Sequence, residues 1–428
     1  MKYAIVTLGC KVNQFETQAM EALLAQHGHV RTAGGDADAV IVNSCAVTGE
    51  SGRKSRQALR RLLADNPGAV GAICGCFSQI EPEEAAALGA QVVFGSGDRT
   101  AFVAAVEQAV AQGASARQVD DPFARRTMEP LPAGALEGRT RAYLKIEDGC
   151  DNFCSYCVIP YARGRVRSMP IDAVAAEAAR LQAEGFLEIV VTGIEISSYG
   201  KDLPGGVTLA DALYAAAMAA PRTRIRIGSL EPTVITEDFC ETLSGCGNIC
   251  RHFHLSLQSG CDRTLAAMRR KYDTARFQAA AALLRKAFPG CALTADLITG
   301  FPGETEEDHA QTLDFIRQVD FAAMHVFPYS VRPGTKAAAM PDQLPRAVKE
   351  RRAGEAQAVA ERMQEAYLDA QVGRTLPVLF ETARADGSWQ GHSDNYCAVL
   401  ARGEKLHGII KNVQITARKG KKIVGIIV

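Results

Sequence analysis

Six short apolar stretches follow one another between Arg141 and Ser330, and a helical pattern separates each from the next. They read "RAYLKIEDG", "LEIVVTGIE", "RIRIGSLEP", "HFHLSLQSG", "ALTADLITGFPG" and "AAMHVFPYS". Segments of helical period, such as Ile171–Glu184 and Glu304–Gln318, lie between them. Six consecutive β/α units leave few arrangements open. They predict a parallel sheet rolled into a full or partial (β/α)6 barrel, with its chemistry at the carboxyl ends of the strands.

The chain upstream repeats the alternation on a smaller scale. "YAIVTLGC" and "DAVIVNSC" read as buried strands and "GAVGAICGC" as a weaker third. Helical stretches follow them at Gln14–Gln26, Gly52–Ala64 and Glu83–Ala87, the pattern of an open α/β sheet. Gly113 to Arg139 is rich in Ala, Gly, Pro and charge with little periodicity, and reads as a linker. Beyond a long polar helix near Arg346–Gln371, "TLPVLFET", "SWQGHSDNYCAVL" and "GIIKNVQITARKGKKIVGIIV" are β-like runs broken by Gly, Asp and Asn. They predict a small β-barrel without obvious catalytic residues, in other words a binding module. The fold class is therefore α/β with a β-barrel appended: an N-terminal open α/β domain (1–115), a linker (116–138), a partial barrel with its trailing helix (139–371) and the small β-barrel (372–428).

The chain contains 13 cysteines, an odd number. The apolar run at the N-terminus is too short for a signal peptide, and no apolar segment reaches the roughly 18 residues of a membrane span. The expected location is the cytoplasm, with no membrane partner. Disulfides are rare there, so the thiols read as metal or redox chemistry plus some buried cysteines. Three of them, Cys150, Cys154 and Cys157, fall within eight residues just past the first barrel strand, on the reactive rim. This Cys-x3-Cys-x2-Cys spacing suits an iron–sulfur cluster held by three thiolates, which leaves one iron open. Cys10, Cys45 and Cys76 each lie just past a predicted strand of the first domain. In an open α/β sheet those ends share one edge, so three cysteines far apart in sequence can converge there. Cys74 sits two residues before Cys76, and strand alternation would put both on one face, so spacing alone does not choose between them.

The loop from Cys150 to Cys157, with Tyr156 as the aromatic before the last cysteine, resembles the cluster loop of radical S-adenosylmethionine enzymes. In that family the open iron binds the amino and carboxylate groups of S-adenosylmethionine, and an electron from the cluster cleaves the sulfonium. The resemblance narrows to methylthiotransferases. "TLGCKVNQFET", "VNSCAVT" and "CGCFSQ" look like the cysteine motifs of their N-terminal domain, and "GCDNFCSYCVIPYARGRVRS", "TGFPGET" and "VFPYSVRPGT" like their radical domain. The basic C-terminal barrel resembles their TRAM domain. The resemblance implies that Cys10, Cys45 and Cys76 hold a second [4Fe–4S] cluster beside the Cys150/Cys154/Cys157 cluster; Cys76 is preferred to Cys74 because "GCFSQ" is the part that matches. It also implies S-adenosylmethionine as cofactor and an electron donor such as a flavodoxin-type protein. One S-adenosylmethionine would methylate sulfur and another would generate the radical.

Three branches of the family act on isopentenyladenosine in tRNA, on threonylcarbamoyladenosine in tRNA, or on an aspartate of a ribosomal protein. The chain most resembles the second, through "LGCKVNQFET", "NSCAVTGESGRKSRQALRR", "YCVIPYARGRVRS", "TGIEISSYG" and "GSWQGHSDNY". Glu195 stands where that pattern leads one to expect His, and Met169 where it leads one to expect Arg. The implied substrate is tRNA modified at position 37, beside the anticodon.

Charge is compatible with that partner. The whole chain balances 48 basic against 48 acidic residues, but Val372–Val428 carries nine Lys/Arg against four Asp/Glu, a net of +5. "GRKSRQALRR" concentrates Arg53, Lys54, Arg56, Arg60 and Arg61. Such clusters can neutralise phosphates. Arg163, Arg165 and Arg167, and Lys419, Lys421 and Lys422, are the candidate RNA contacts; the three arginines would share one side if their loop were extended. Polar residues at the predicted strand ends, Glu231, Gln258, Ser259 and Asp296, together with Tyr156, are candidates for binding the cofactor.

Overall fold

The computed structural model describes residues 1–33, 35–132 and 140–428. Its first unit is a wholly parallel sheet of β1 (Lys2–Thr7), β2 (Val30–Arg31), β3 (Ala39–Ser44), β4 (Val70–Gly75), β5 (Val92–Phe94) and β6 (Ala116–Gln118), in the order β2-β1-β3-β4-β5-β6. β3 and β4 are buried along their whole length because helices cover both faces. On one face α1 (Lys11–Gln26) and α5 (Arg99–Gln112) pack through Met20, Leu24, Phe102 and Val106. On the other, α2 (Gly49–Asp65), α3 (Cys76–Ile80) and α4 (Pro82–Ala86) contribute Leu59, Phe77 and Ala85. The strand order reverses between β1 and β3, and such a reversal opens a crevice at the carboxyl ends of the two strands. Cys10 and Cys45 follow those two strands.

The stretch read as a linker begins inside this sheet. β6 pairs with β5 from Val92↔Ala116 to Phe94↔Gln118. Three residues are too few to show a period of two, so the exposed edge of β5, and no local pattern, makes this strand. The remainder of that stretch includes 133–139, which lies outside the described residues.

The second unit contains all six predicted strands. β7 (Arg141–Lys145) leads into a two-residue antiparallel pair, β8 (Glu147–Asp148) with β9 (Arg167–Ser168), which closes the base of the cysteine loop; α6 (Ile159–Arg163) lies within that loop. Then come β10 (Glu188–Thr192), β11 (Arg224–Ile227) continuing past Gly228 as β12 (Ser229–Leu230), β13 (His252–Gln258), β14 (Ala292–Thr299) and β15 (Ala323–Pro328). The hydrogen-bonded orders are β11-β10-β7 and β12-β13-β14-β15, all parallel. Among the described residues β7 and β15 pair with no further strand, and the barrel stays open between them. Helices α7 (Ile171–Ala183), α8 (Leu209–Ala219), α9 (Glu237–Ser244), α10 (Asp262–Ala267), α11 (Thr274–Ala287) and α12 (Glu306–Val319) connect the strands, and their apolar residues join one core with Leu144, Ile189, Val191, Ile227, Leu255 and Leu297.

Strand alternation sends the intervening residues inward. These include Arg141, Glu188, Arg226, His252, His254, Asp296 and His325. A closed barrel packs branched apolar side chains inside; this one has a polar lumen, suited to holding a polar guest. α1 lies against β7 beside the open seam, with Phe15 in the barrel core.

α13 (Arg346–Asp369) runs to the third unit, a closed barrel of β16 (Thr375–Ala383), β17 (Ser388–Ser393), β18 (Ala398–Arg402), β19 (Ile409–Lys419) and β20 (Lys422–Ile427). It plugs the amino-terminal end of the strands. Arg226 donates to the carbonyls of Asp394 (3.0 Å) and Ser393 (3.1 Å), Arg224 to that of Pro377 (3.0 Å), and Arg141 pairs with Glu381 (3.0 Å). Among the described residues no helix is long and apolar enough to cross a membrane.

Candidate functional site: two cysteine sets

Cys150, Cys154 and Cys157 lie on a loop whose ends are tied by Cys150 N–H to the Gly164 carbonyl (2.9 Å). Each sulfur has an N–H donor aimed at it. The Asn152 amide points to Cys150 (3.5 Å), the Ile159 amide to Cys157 (3.4 Å) and the Arg270 guanidinium to Cys154 (3.1 Å). Donors of this kind stabilise thiolates and lower the electron density on cluster sulfurs. Burial pushes the free Cys157 thiol up to about 12 and Cys150 upward as well, so these sulfurs carry charge only when a metal takes them. Arg270 also donates to Glu231 (2.6 Å), which accepts from Asn152 (3.2 Å).

Within the second set, the turn that carries Cys10 lies against Cys45. Gly9 adopts φ +105°, and a side chain there would meet Cys45 Cβ and Sγ at 2.9 Å, so the Cys10 turn is folded directly onto Cys45. Cys76 opens α3 and lies within electrostatic reach of both Cys45 and Cys10, and of Cys157 in the other set. Cys74 lies on the other face of the sheet from Cys76. Gly75 (φ +107°) breaks the strand alternation, so Cys74 enters the core under α1 and α5 while Cys76 belongs to the opposite face.

Among the described residues the group with three metal-ligand atoms within 4.8 Å is His27, His29 and Glu107, and no cysteine belongs to it. Thiolate donors and the Cys-x3-Cys-x2-Cys spacing of the first set suit a [4Fe–4S] cluster.

Arg163, at the end of the loop that bears the first set, reaches Cys76 of the second. Its Nε donates to Cys76 Sγ (3.2 Å), its Nη2 to Asn13 (2.9 Å) and its Nη1 to Glu16. Asn13 Oδ1 in turn lies 3.9 Å from Cys10 Sγ. Glu16 also binds Arg99 (3.1 Å) and Lys145 (3.3 Å), and Asp148 binds Lys145 (3.1 Å) with Arg163 (3.5 Å) and Arg167 (3.6 Å) behind it. Burial alone would raise the Glu16 carboxyl, but Arg163, Arg99 and Lys145 together hold it at about 2. Four cations thus face two carboxylates. The excess suits a neighbouring anionic cluster.

This overturns two predicted RNA contacts. Arg163 is fully buried and Arg167 nearly so, donating to the carbonyls of Arg163 (3.1 Å) and Arg165 (2.7 Å). The loop is not extended: α6 ends at Arg163 and Gly164 turns the chain, so the three arginines do not share a side. Arg165 is exposed and pairs loosely with Asp151 (3.5 Å). On the C-terminal barrel Lys419 is exposed, Lys421 pairs with Glu361 of α13 (2.9 Å), and Lys422 donates to Gln390 (2.6 Å).

The predicted cofactor residues divide. Glu231 stands beside the cysteine loop, and Asp296 faces the lumen with His254 at 3.3 Å. Tyr156 packs with Met268, Phe301 and Tyr329 next to that loop. Gln258 ends β13 in a left-handed conformation (φ 66°) after a bulge. The bulge re-aims the next residue. Ser259 is consequently turned out of the lumen, its hydroxyl meeting Thr312 of α12 (3.4 Å) and accepting from Cys261 N–H (3.2 Å), which is a structural role. Arg270, Asn152 and Lys11 escaped prediction. Arg270 is 116 residues from Cys154, and nothing local marks it. Glu195 accepts from Ser197 N–H (3.3 Å), and burial together with the Glu231 charge lifts its carboxyl to about 7.

Residues 144–316 match the radical SAM superfamily and residues 2–95 the uncharacterized protein family UPF0004. The chain is 37% identical to the threonylcarbamoyladenosine tRNA methylthiotransferase MtaB of Bacillus subtilis, over 96% of this chain and 93% of the relative. The Thermotoga maritima enzyme of the same name is 35% identical, over 92% and 89%. A tRNA-2-methylthio-N(6)-dimethylallyladenosine synthase of Pelotomaculum thermopropionicum is 30% identical, over 100% and 97%. Among solved structures, the radical S-adenosylmethionine methyltransferase TsrM of Kitasatospora setae shares the fold at 17% identity, with a TM-score of 0.58 over 79% of this chain and 75% of that one. The chain belongs to the radical S-adenosylmethionine tRNA methylthiotransferases.

Proposed function

We propose that the protein converts N6-threonylcarbamoyladenosine at position 37 of tRNA to its 2-methylthio derivative, with S-adenosylmethionine and two [4Fe–4S] clusters, in the cytoplasm. The observation that carries this reading is that Arg163, at the end of the loop bearing Cys150, Cys154 and Cys157, donates to Cys76 of the second set. When bound, the clusters and S-adenosylmethionine supply a hydrogen-abstracting radical and the sulfur that replaces the hydrogen. Similarity to two relatives named for the threonylcarbamoyl substrate, at 35% and 37% identity, supports the choice of base.

In this reading Cys150, Cys154 and Cys157 hold the cluster that receives the electron, and the three N–H donors fix their orientation. Cys10, Cys45 and Cys76 hold the sulfur-supplying cluster. Arg270 keeps Glu231 against Asn152 of the first loop, while Arg163, Glu16 and Asp148 hold the two sets at fixed separation. The base enters through the seam between β7 and β15 as a splayed-out nucleotide, the usual way a base in an RNA loop is presented. Arg165 and Lys419 remain the exposed predicted cations that can meet phosphate. A flavodoxin-type protein is the proposed electron donor.

The test is mass spectrometry of nucleosides from total tRNA, with and without the gene. Loss of the 2-methylthio nucleoside with accumulation of threonylcarbamoyladenosine is the expected result. Loss of methylthio-isopentenyladenosine instead would move the substrate to that branch. Unchanged tRNA would refute both and direct the search to a ribosomal-protein aspartate.

A further inference from the structure

Lys11 is the first residue of α1, directly after Cys10, and it is half-buried where α1 meets the open seam of the barrel. Phe15, one turn on along the same face of α1, enters the barrel core, so Lys11 shares the face turned to the second unit, where Arg141 on β7, Arg226 on β11 and Asp296 on β14 are charged groups within electrostatic reach, with Cys10 beside it. Each arginine is already committed. Arg226 binds Glu188 (2.7 Å) and two carbonyls of the C-terminal barrel; Arg141 binds Glu188 (3.1 Å) and Glu381 (3.0 Å). Asp296 is engaged by His254. Lys11 itself makes no hydrogen bond or ion pair among the described residues. With Asp296 already engaged by His254 and Cys10 assigned to the second set, a half-buried ammonium beside two arginines favours a further anion.

We propose that Lys11 receives the carboxylate of the threonylcarbamoyl group, and so separates this substrate from an adenosine carrying an apolar N6 substituent. The assignment rests on the reading under Proposed function. Its chemical logic lies in the adenine ring: C2 and N6 share one edge, on either side of N1. A side chain that reads the N6 substituent must therefore stand next to the group delivering sulfur to C2, and Lys11 follows the Cys10 of the second set. The rest of the lumen matches a polar guest. Thr294 holds both His252 and His254 at 3.0 Å, and His325 lies beyond His254. An isopentenyl group would bury apolar surface against these charges and leave Lys11 without a partner.

The experiment is fluorescence-anisotropy binding of anticodon stem-loop RNAs to the anaerobically purified holoenzyme, read apart from turnover. The RNAs carry threonylcarbamoyladenosine, its carboxylate methyl ester, or isopentenyladenosine. The native protein should prefer the free acid over the ester by ~10- to 100-fold, the worth of a charge-assisted bond. Lys11→Gln should reduce that ratio to about one, and Lys11→Arg should restore most of it. Lys11→Met serves the same purpose if the glutamine form does not retain its iron. If the native protein prefers the acid and Lys11→Gln or Lys11→Met keeps the ratio, the assignment of Lys11 is wrong while the substrate reading stands. If the native protein prefers the isopentenyl RNA, the substrate reading itself falls and takes this assignment with it.

Discussion

Glu16→Gln should loosen the contact between the first two units without touching a cysteine. The wild-type carboxylate is 1% exposed and accepts from Arg99, Arg163 and Lys145. Its folded-state value of about 2, against an ordinary 4.5, corresponds to ~3.4 kcal/mol at 1.36 kcal/mol per pH unit. That agrees with the ~3–5 kcal/mol typical of breaking a buried ion pair from one side. Glutamine retains an acceptor oxygen but leaves four cations facing Asp148 alone. Native-state hydrogen exchange of α1 and β7 amides reads the effect locally, without assuming that a three-unit protein unfolds in one step. Exchange there should accelerate roughly 300-fold at pH 7. The pH dependence has a fixed sign. Because the folded value is depressed, the stabilisation is complete above 4.5 and disappears as pH falls from there through 2. At pH 3.5 the gap between wild type and variant should therefore be smaller by ~1.4 kcal/mol. Exchange within about threefold of wild type at pH 7, or a gap that does not change between pH 7 and pH 3.5, would refute the reasoning.

Replacing Cys154 with Ala should abolish cleavage of S-adenosylmethionine, whereas Cys45→Ala should leave cleavage and stop methylthiolation; equal loss of both in a folded Cys45 variant would argue against two clusters with separate tasks. Arg163→Met removes the N–H donor at Cys76 and one buried cation, so the second cluster's midpoint potential, followed by EPR-monitored titration, should move to more negative values while the potential of the first changes little. An unchanged potential in a variant that retains its iron would mean that Arg163 only ties the units together.

The six strands of the barrel were legible because each is a local pattern: one apolar face toward the helices every second residue. The lumen was written in the same letters, since "RIRI" and "HFHLSL" place Arg226, His252 and His254 opposite Ile225, Phe253 and Leu255. The Cys150 loop was legible by spacing. Cys10, Cys45 and Cys76 could be brought together because strand ends in a parallel sheet share an edge.

Other features depended on partners too distant for any local pattern to name. Three arginines at alternate positions resemble a phosphate-binding face, yet Arg163 is buried because Glu16 and Cys76, 147 and 87 residues away, supply the charge and the acceptor it needs. β6 exists because β5 offers an edge, and Ser259 turns outward because a bulge precedes it. Cys74 and Cys76 part company at a glycine whose φ of +107° no count of residues reveals. Local periodicity thus determined the elements and the sheet edge at which the cysteines fall. Where each charge ends up, in water or neutralised inside, is set by the groups that desolvate and pair with it, and only the tertiary structure brings those groups together.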